Sequence, residues 1–203
     1  MSASMTAPEL AALLMFSTAM AFTPGPNTTL SAALAANHGL RHAMRFVIGV
    51  PVGWCALLLA CAFGLGALIQ AEPALRGVLK WGGLAYMLWL AFKLAGAGTL
   101  AQADARRFDA GFTKGVLLQF INIKAWMAAL LVSAGWITVA DPLLPRLLVV
   151  VSLMMAYGLA SNFTYALIGS SLRGWLSHGS RLLVFNRVLA AVLAATALWM
   201  ALL

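Results

Sequence analysis

An apolar run that starts near Leu10 and resumes through Leu34 is interrupted by Phe22-Thr23-Pro24-Gly25-Pro26-Asn27. Two prolines remove two backbone donors and clash with the preceding turn, so no helix passes through unbroken. In hydrocarbon, the backbone groups freed by such a break are tolerated only where they face protein or a water-filled cavity. Two readings follow. One is a proline kink used for packing. The other is a substrate site at a discontinuous helix, with Thr23 and Asn27 as its polar neighbours.

Hydrocarbon is the right solvent to consider because charged residues make up only 9% of the 203, against about 25% in ordinary soluble domains. So few charges cannot cover a soluble domain of this size. The sequence therefore predicts an all-α integral membrane protein. One crossing takes about 20 residues, so six use roughly 120 to 130 and leave no room for a soluble domain. The expected spans are residues 8–36 (broken at Pro24–Pro26), 43–70, 75–94, 112–136, 147–170 and 182–203. They form a single transmembrane domain, residues 1–203, with halves at 1–95 and 112–203 and a polar cytoplasmic connector at 96–111.

The net charge of +8 does not point to nucleic acid, because the basic residues are scattered between apolar spans. That is the pattern of loop anchors facing anionic lipid. Arg41, Arg45, Lys93, Arg106, Arg107, Lys114, Arg173, Arg181 and Arg187 fall on the odd-numbered connections, against Arg76, Lys80 and Arg146 on the even ones. The positive-inside rule then puts both termini on the periplasmic side. Residues 1–21 lack the basic start of a signal peptide and carry Glu9, so they read as the first half of span one.

Gly49 and Gly53 make a small-xxx-small pair on span two and predict a close helix contact there, while Pro51 predicts a kink. Cys55 and Cys61 share that span without metal-spaced partners, and read as small buried apolar residues. A membrane thiol-electron carrier would need them on different spans. No Ser/His/acid or metal-ligand cluster lies at membrane depth, so the chain is not read as an enzyme and no cofactor or metal is expected. Tyr86 and Trp89, three apart, share a helix face; they read as a packing or interfacial pair, with Tyr86 also a candidate substrate contact.

Span four carries Gln119, Asn122 and Lys124. A lysine near mid-membrane costs about 2.5–3.5 kcal/mol on insertion scales, and such a group is by default a functional candidate. No acidic residue lies clearly inside any span, Glu9 being at the very start of span one, so Lys124 has no obvious carboxylate partner. The charge must meet carbonyls, a helix C-terminal end, amides, water or substrate. Each half holds three spans, an odd number, so a repeated half enters the membrane inverted, and the two irregular helices then face each other near the midplane. Phe22-Thr23-Pro24-Gly25 against Phe112-Thr113-Lys114-Gly115 is the local likeness between halves.

With these segments the chain resembles the LysE/RhtB family of amino-acid exporters. The resemblance rests on Thr23-Pro24-Gly25-Pro26-Asn27, Gly39, Gly49, Gly83-Leu84-Ala85-Tyr86-Met87-Leu88-Trp89-Leu90, Phe112-Thr113-Lys114-Gly115, Asn122-Ile123-Lys124-Ala125 and Asn186-Arg187-Val188-Leu189. It spans about residues 8 to 203. It implies a multi-pass protein of the bacterial inner membrane that exports amino acids or related small metabolites, driven by protons. Ile123 stands where the family usually has proline, which implies a milder break in span four. Ala91 replaces a common glycine. Asn27 stands where many members have aspartate, and an asparagine cannot carry a proton; Lys124 and His38 are the remaining candidates, His38 lying on a connection. The substrate-binding candidates are thus Thr23, Pro24, Gly25, Pro26, Asn27, Tyr86, Asn122, Lys124 and Asn162, with Lys124 also the proton-coupling candidate. One buried cation without a buried carboxylate suits neutral substrates better than basic ones. The expected partners are that substrate, protons and the bilayer, with self-association open. The competing reading is a structural or lipid-handling protein in which the broken helices serve assembly and are packed dry.

Overall fold

The structure is a computed structural model, and it describes residues 5–97, 110–139 and 142–202. Most of the expected connector 96–111 lies outside the described residues. Among those described, every regular element is helical: α1 (Ala7–Phe22), α2 (Pro26–His38), α3 (Leu40–Ala60), α4 (Gly66–Ala71), α5 (Pro73–Ala95), α6 (Phe112–Ile121), α7 (Ile123–Val132), α8 (Leu143–Leu176) and α9 (Arg181–Leu202). Wide π-type turns at Cys61–Leu65 and Ser133–Ile137 extend α3 into α4 and lengthen α7.

Among the described residues, four helices are long and apolar enough to cross a membrane: Leu40–Ile69, Pro73–Ala95, Leu143–Leu176 and Arg181–Leu202. A fifth crossing is available from α6 and α7, which meet at a bend of 73°. With 16 residues α1 is too short to cross alone, since at 1.5 Å per residue it reaches about 24 Å of a roughly 30 Å core. The outer surface is apolar, with Val78, Trp81, Phe92, Leu148 and Trp199 all more than half exposed. That suits lipid contact and no aqueous surface of this extent.

Local chemistry explains most of the boundaries. Thr6 opens α1 with a capping box, its hydroxyl accepting from the Glu9 amide while the Glu9 carboxylate accepts from the Thr6 amide at 2.8 Å. Pro24 stops α1, and Pro26 starts α2 at the first helical position, where no N–H is needed. A single residue, Gly39, separates α2 from α3 with φ of 87°, a conformation glycine adopts without strain. The helix runs through Pro51 and instead departs from helical geometry at Phe63 and Gly64, where Gly64 has φ of 109°. Span two thus has a kink at the glycine.

Buried α2 sits at the centre, with Thr28 through Asn37 all shielded. It packs along α8, while α3 packs along α6 and α5 along α9. The α3–α6 seam is glycine-lined as the sequence predicts: Gly49 faces the Phe112 carbonyl, Gly53 the Val116 carbonyl and Gly115 the Phe46 carbonyl. Two apolar clusters fill the interior. One joins Leu34, Phe46, Leu94 and Leu193; the other joins Leu13, Leu58, Val132 and Val150. Along α3 the first cluster ends at Val50 and the second begins at Cys55; along α8 they are separated by the stretch from Met154 to Ala166.

At one end of α2, Asn37 and Asn186 exchange side-chain hydrogen bonds of 2.9 and 3.1 Å, and Asn186 also donates to the Ala97 carbonyl at 3.2 Å. Both side chains are buried. Asn37→Leu or Asn186→Leu strands the other amide, whereas the double substitution removes both polar groups. A double-mutant cycle on thermal stability is therefore expected to return a coupling of about 0.6–1.7 kcal/mol, the range seen for hydrogen bonds between membrane helices. Additive single effects would contradict the pairing.

In contrast, α1 is lightly packed, with only Leu13 and Ser17 buried. It is fastened by polar contacts. Trp136 donates its indole N–H to the Glu9 carbonyl at 3.0 Å, and Arg146 pairs with Glu9 at 3.3 Å. Phe16 lies against Trp136 with ring centroids 5.7 Å apart.

Candidate functional site

Two helix breaks meet in space between the two apolar clusters. The first is Thr23–Gly25, between α1 and α2. The second is Asn122, between α6 and α7. Asn122 has an extended backbone, and its side-chain oxygen caps α7 by accepting from the Lys124 amide at 3.1 Å. Asn122 thus stands between the end of α6 and the start of α7. The milder break expected from Ile123 is thus replaced by the 73° bend. Lys124 consequently sits in the first turn of α7, and its ammonium reaches across the junction to the Thr23 carbonyl at 2.9 Å. Gly25 leaves the space for that reach: a Cβ there would lie 3.2 Å from Lys124 Cδ and 3.3 Å from Nζ.

A cavity of about 100 Å³ opens at this junction, well above the ~10–15 Å³ that one water needs. Thr23, Gly25, Pro26, Asn27, Asn122 and Lys124 line its polar end, and Asn162 joins them from α8. Met20, Val50, Trp54, Val132 and Met154 form an apolar wall. Among its described lining residues Lys124 is the one charged side chain, and none is a carboxylate. Pro24 lies in the break without lining the cavity. Tyr86 does not reach it; its ring rests 5.4 Å from that of Trp89 and it packs on the first apolar cluster. His38 ends α2 at the far end of that helix from the cavity, with its ring 5.0 Å from that of His42.

An amide network joins the breaks. Asn27 donates to Gln119 Oε1 at 2.9 Å, and Gln119 returns a bond to Asn27 Oδ1 at 3.1 Å. Asn122 adds a longer donation to the same oxygen at 3.4 Å. Gln119, fully buried, also donates to the Gly115 carbonyl at 2.9 Å. Deeper in, Ser31 donates to Asn162 Oδ1 at 3.0 Å, and Asn162 donates to the Gly158 carbonyl.

Sequence reasoning passed over the hydroxyl face of α8. Tyr157, Ser161 and Tyr165 recur every four residues, so they share one face. They grip the last turns of α1: Tyr157 contacts Thr18 Oγ1 at 3.1 Å, Ser161 donates to the Ala21 carbonyl, and Tyr165 donates to the Phe22 carbonyl at 2.9 Å. The signal was the four-residue spacing, though no sequence pattern named the partner. The Phe112–Gly115 likeness to Phe22–Gly25 is not matched by the backbone: residues 112–115 form the first turn of α6, not a break. Cys55 and Cys61 are buried free thiols.

The architecture so far defines a class: an all-helical, multi-pass membrane protein with a solvent-sized cavity at paired helix breaks. The match to known families is specific, because the family described as LysE type translocator matches residues 18–202, and the chain belongs to it. It is 32% identical over 189 residues to a cysteine/O-acetylserine efflux protein of Salmonella typhimurium, covering 93% of this chain and 95% of the relative. It is 31% identical over 190 residues to the Klebsiella pneumoniae protein of the same description, at 93% and 95% coverage. For the Escherichia coli K12 protein of that description the identity is 32% over 168 residues, at 81% and 84%. No solved structure matches the chain. Membership makes this protein a transporter and not an enzyme.

Proposed function

We propose that this chain is a secondary exporter of small neutral amino acids, in the chemical range of cysteine and O-acetylserine, coupled to protons and resident in the bacterial inner membrane. The observation that carries this reading is the Lys124 ammonium bonded to the Thr23 carbonyl over a cavity that both halves of the chain line. The relatives' descriptions supply the substrate range.

The proposed architecture has six crossings, with α1–α2 as a broken first span and α6–α7 as a broken fourth, within one domain. Packing supports an inverted repeat: the first span lies on the fifth, the fourth on the second, and the third on the sixth. A two-fold relation between halves requires these pairings together. Both termini are assigned to the periplasm from the Lys and Arg distribution.

In binding, the substrate carboxylate meets the start of α2. Pro26 has no N–H and Gly25 no side chain, so the Asn27 and Thr28 amides are the helix-terminal donors facing the break. Lys124 adds the positive charge. Asn27, Asn122 and Asn162 hydrogen-bond the remaining polar atoms, and the Met20–Trp54 wall takes the side chain. Rocking of one half against the other exposes the cavity alternately to the two sides. A purely structural role would favour dry packing at the breaks, and the cavity argues against it.

Proteoliposomes loaded with a labelled amino-acid panel test this. Efflux of cysteine or O-acetylserine is expected above protein-free vesicles, and faster when a pH gradient drives protons inward against the outgoing substrate. Equal leak from both vesicle types across the whole panel would refute export. Efflux indifferent to the gradient would refute the coupling.

A further inference from the structure

The last turn of α1 and its extended C-cap residue Thr23 present backbone carbonyls at the negative end of that helix. Each of the final three is already occupied by a donor from the second half of the chain. Ser161 holds Ala21, Tyr165 holds Phe22, and Lys124 holds Thr23. Two of these donors are hydroxyls on α8. The third is an ammonium group; Lys124 and Ser161 both line the cavity, and Lys124 is the charged one.

We infer that the Thr23 carbonyl is the site of the substrate's own α-ammonium, and that Lys124 is a tethered stand-in that fills it between substrates. The inference rests on the export reading and refines it by dividing the two charged ends of the substrate between the two helix ends. Three features support it. An ammonium demonstrably fits there, since Nζ sits 2.9 Å from the oxygen. The cavity has no carboxylate among its described lining residues to receive a substrate ammonium, so a helix C-terminal carbonyl is the complementary group at hand. Gly25 keeps the adjacent space clear, so the lysine has room to swing between Thr23 and a carboxylate bound at the α2 start.

The exchange is self-consistent in charge. An arriving zwitterion offers its carboxylate to Lys124 and its ammonium to Thr23. Lys124 moves from carbonyl to carboxylate, and the carbonyl keeps a cationic partner throughout. When the substrate leaves, Lys124 returns, so the carbonyl has a cationic partner in the empty carrier as well. The lysine thereby substitutes for cargo on the return stroke. Ser161 and Tyr165 act as positioning residues that hold the neighbouring carbonyls and keep the end of α1 in place.

Two measurements on the reconstituted full-length protein test this. The first is competition against labelled cysteine efflux under reducing conditions. Here 3-mercaptopropionate lacks the amino group and cysteamine lacks the carboxylate; matching pairs serve for any other transported amino acid. Both analogues are expected to compete at least tenfold more weakly than unlabelled cysteine. If 3-mercaptopropionate competes as well as cysteine, no ammonium site exists and the inference falls. The second is Lys124→Gln, compared in net efflux and in exchange between substrate-loaded compartments. A stand-in for cargo is needed only when the carrier returns empty. Net efflux is therefore expected to fall at least tenfold further than exchange. Parallel loss of both would assign Lys124 to carboxylate binding alone and overturn the stand-in role. If the native protein moves no amino acid at all, the export reading itself fails, an outcome separable from either of these.

Discussion

Gly53→Leu is expected to leave almost no folded protein in the membrane. A Cβ at this position would stand 2.5 Å from the Val116 carbonyl oxygen and 2.6 Å from the Val116 Cα. Both are backbone atoms, so no flexible side chain can swing aside. Gly49 meets the Phe112 carbonyl in the same way, and from the other helix a Cβ at Gly115 would lie 2.7 Å from the Phe46 carbonyl. The two helices therefore touch backbone to backbone over successive turns, the usual reason for small residues at membrane helix contacts. Inserting bulk into a tight core costs about 1–3 kcal/mol or more. Here the whole α3–α6 seam must open to accept it. Gly82→Leu is the control, because a Cβ at Gly82 meets nothing within 4 Å. Size-exclusion profiles and thermal midpoints in detergent should separate the two variants clearly. A Gly53→Leu protein as stable as the control would show that the seam is not close-packed.

Lys124→Ala is expected to cut net efflux about 10- to 100-fold while the protein inserts and folds normally. A hydrogen bond to a charged group contributes about 1.5–3 kcal/mol, and each 1.4 kcal/mol is tenfold. Gly25→Leu should reach a similar result by another route. Its side chain would occupy the space where Lys124 Cδ and Nζ now lie, 3.2 and 3.3 Å from the new Cβ, and would push the ammonium away from Thr23. Labelled amino-acid efflux from cells, normalised to membrane protein, measures both. Intact efflux in both variants would remove the cavity from the transport path.

The sequence exposed this junction unevenly. Pro24-Gly25-Pro26 was legible because proline chemistry acts locally: one stops α1 and the other starts α2 wherever the segment lies. Gly49 and Gly53 were legible because spacing alone puts them on one face. The break at Asn122 is made without a proline, the asparagine side chain capping the start of α7. The departure from helical geometry at Phe63 and Gly64 was not foreseen, because a glycine among apolar residues carries no local signal of a break. Tyr86 carried the right chemistry on a helix that faces another part of the bundle. The Asn37–Asn186 and Asn27–Gln119 pairs join residues 149 and 92 positions apart, and nothing local announces such partners.

One consequence follows from how unequally the helices are fastened. Parting α3 from α6 means undoing a seam of touching main chains. Lifting α1 away from α8 breaks side-chain contacts alone: the hydroxyl bonds of Tyr157, Ser161 and Tyr165, each about 0.6 kcal/mol between membrane helices, and the Arg146–Glu9 ion pair. The glycine seam is thus a main-chain joint, and the first helix is held to the bundle by its side chains.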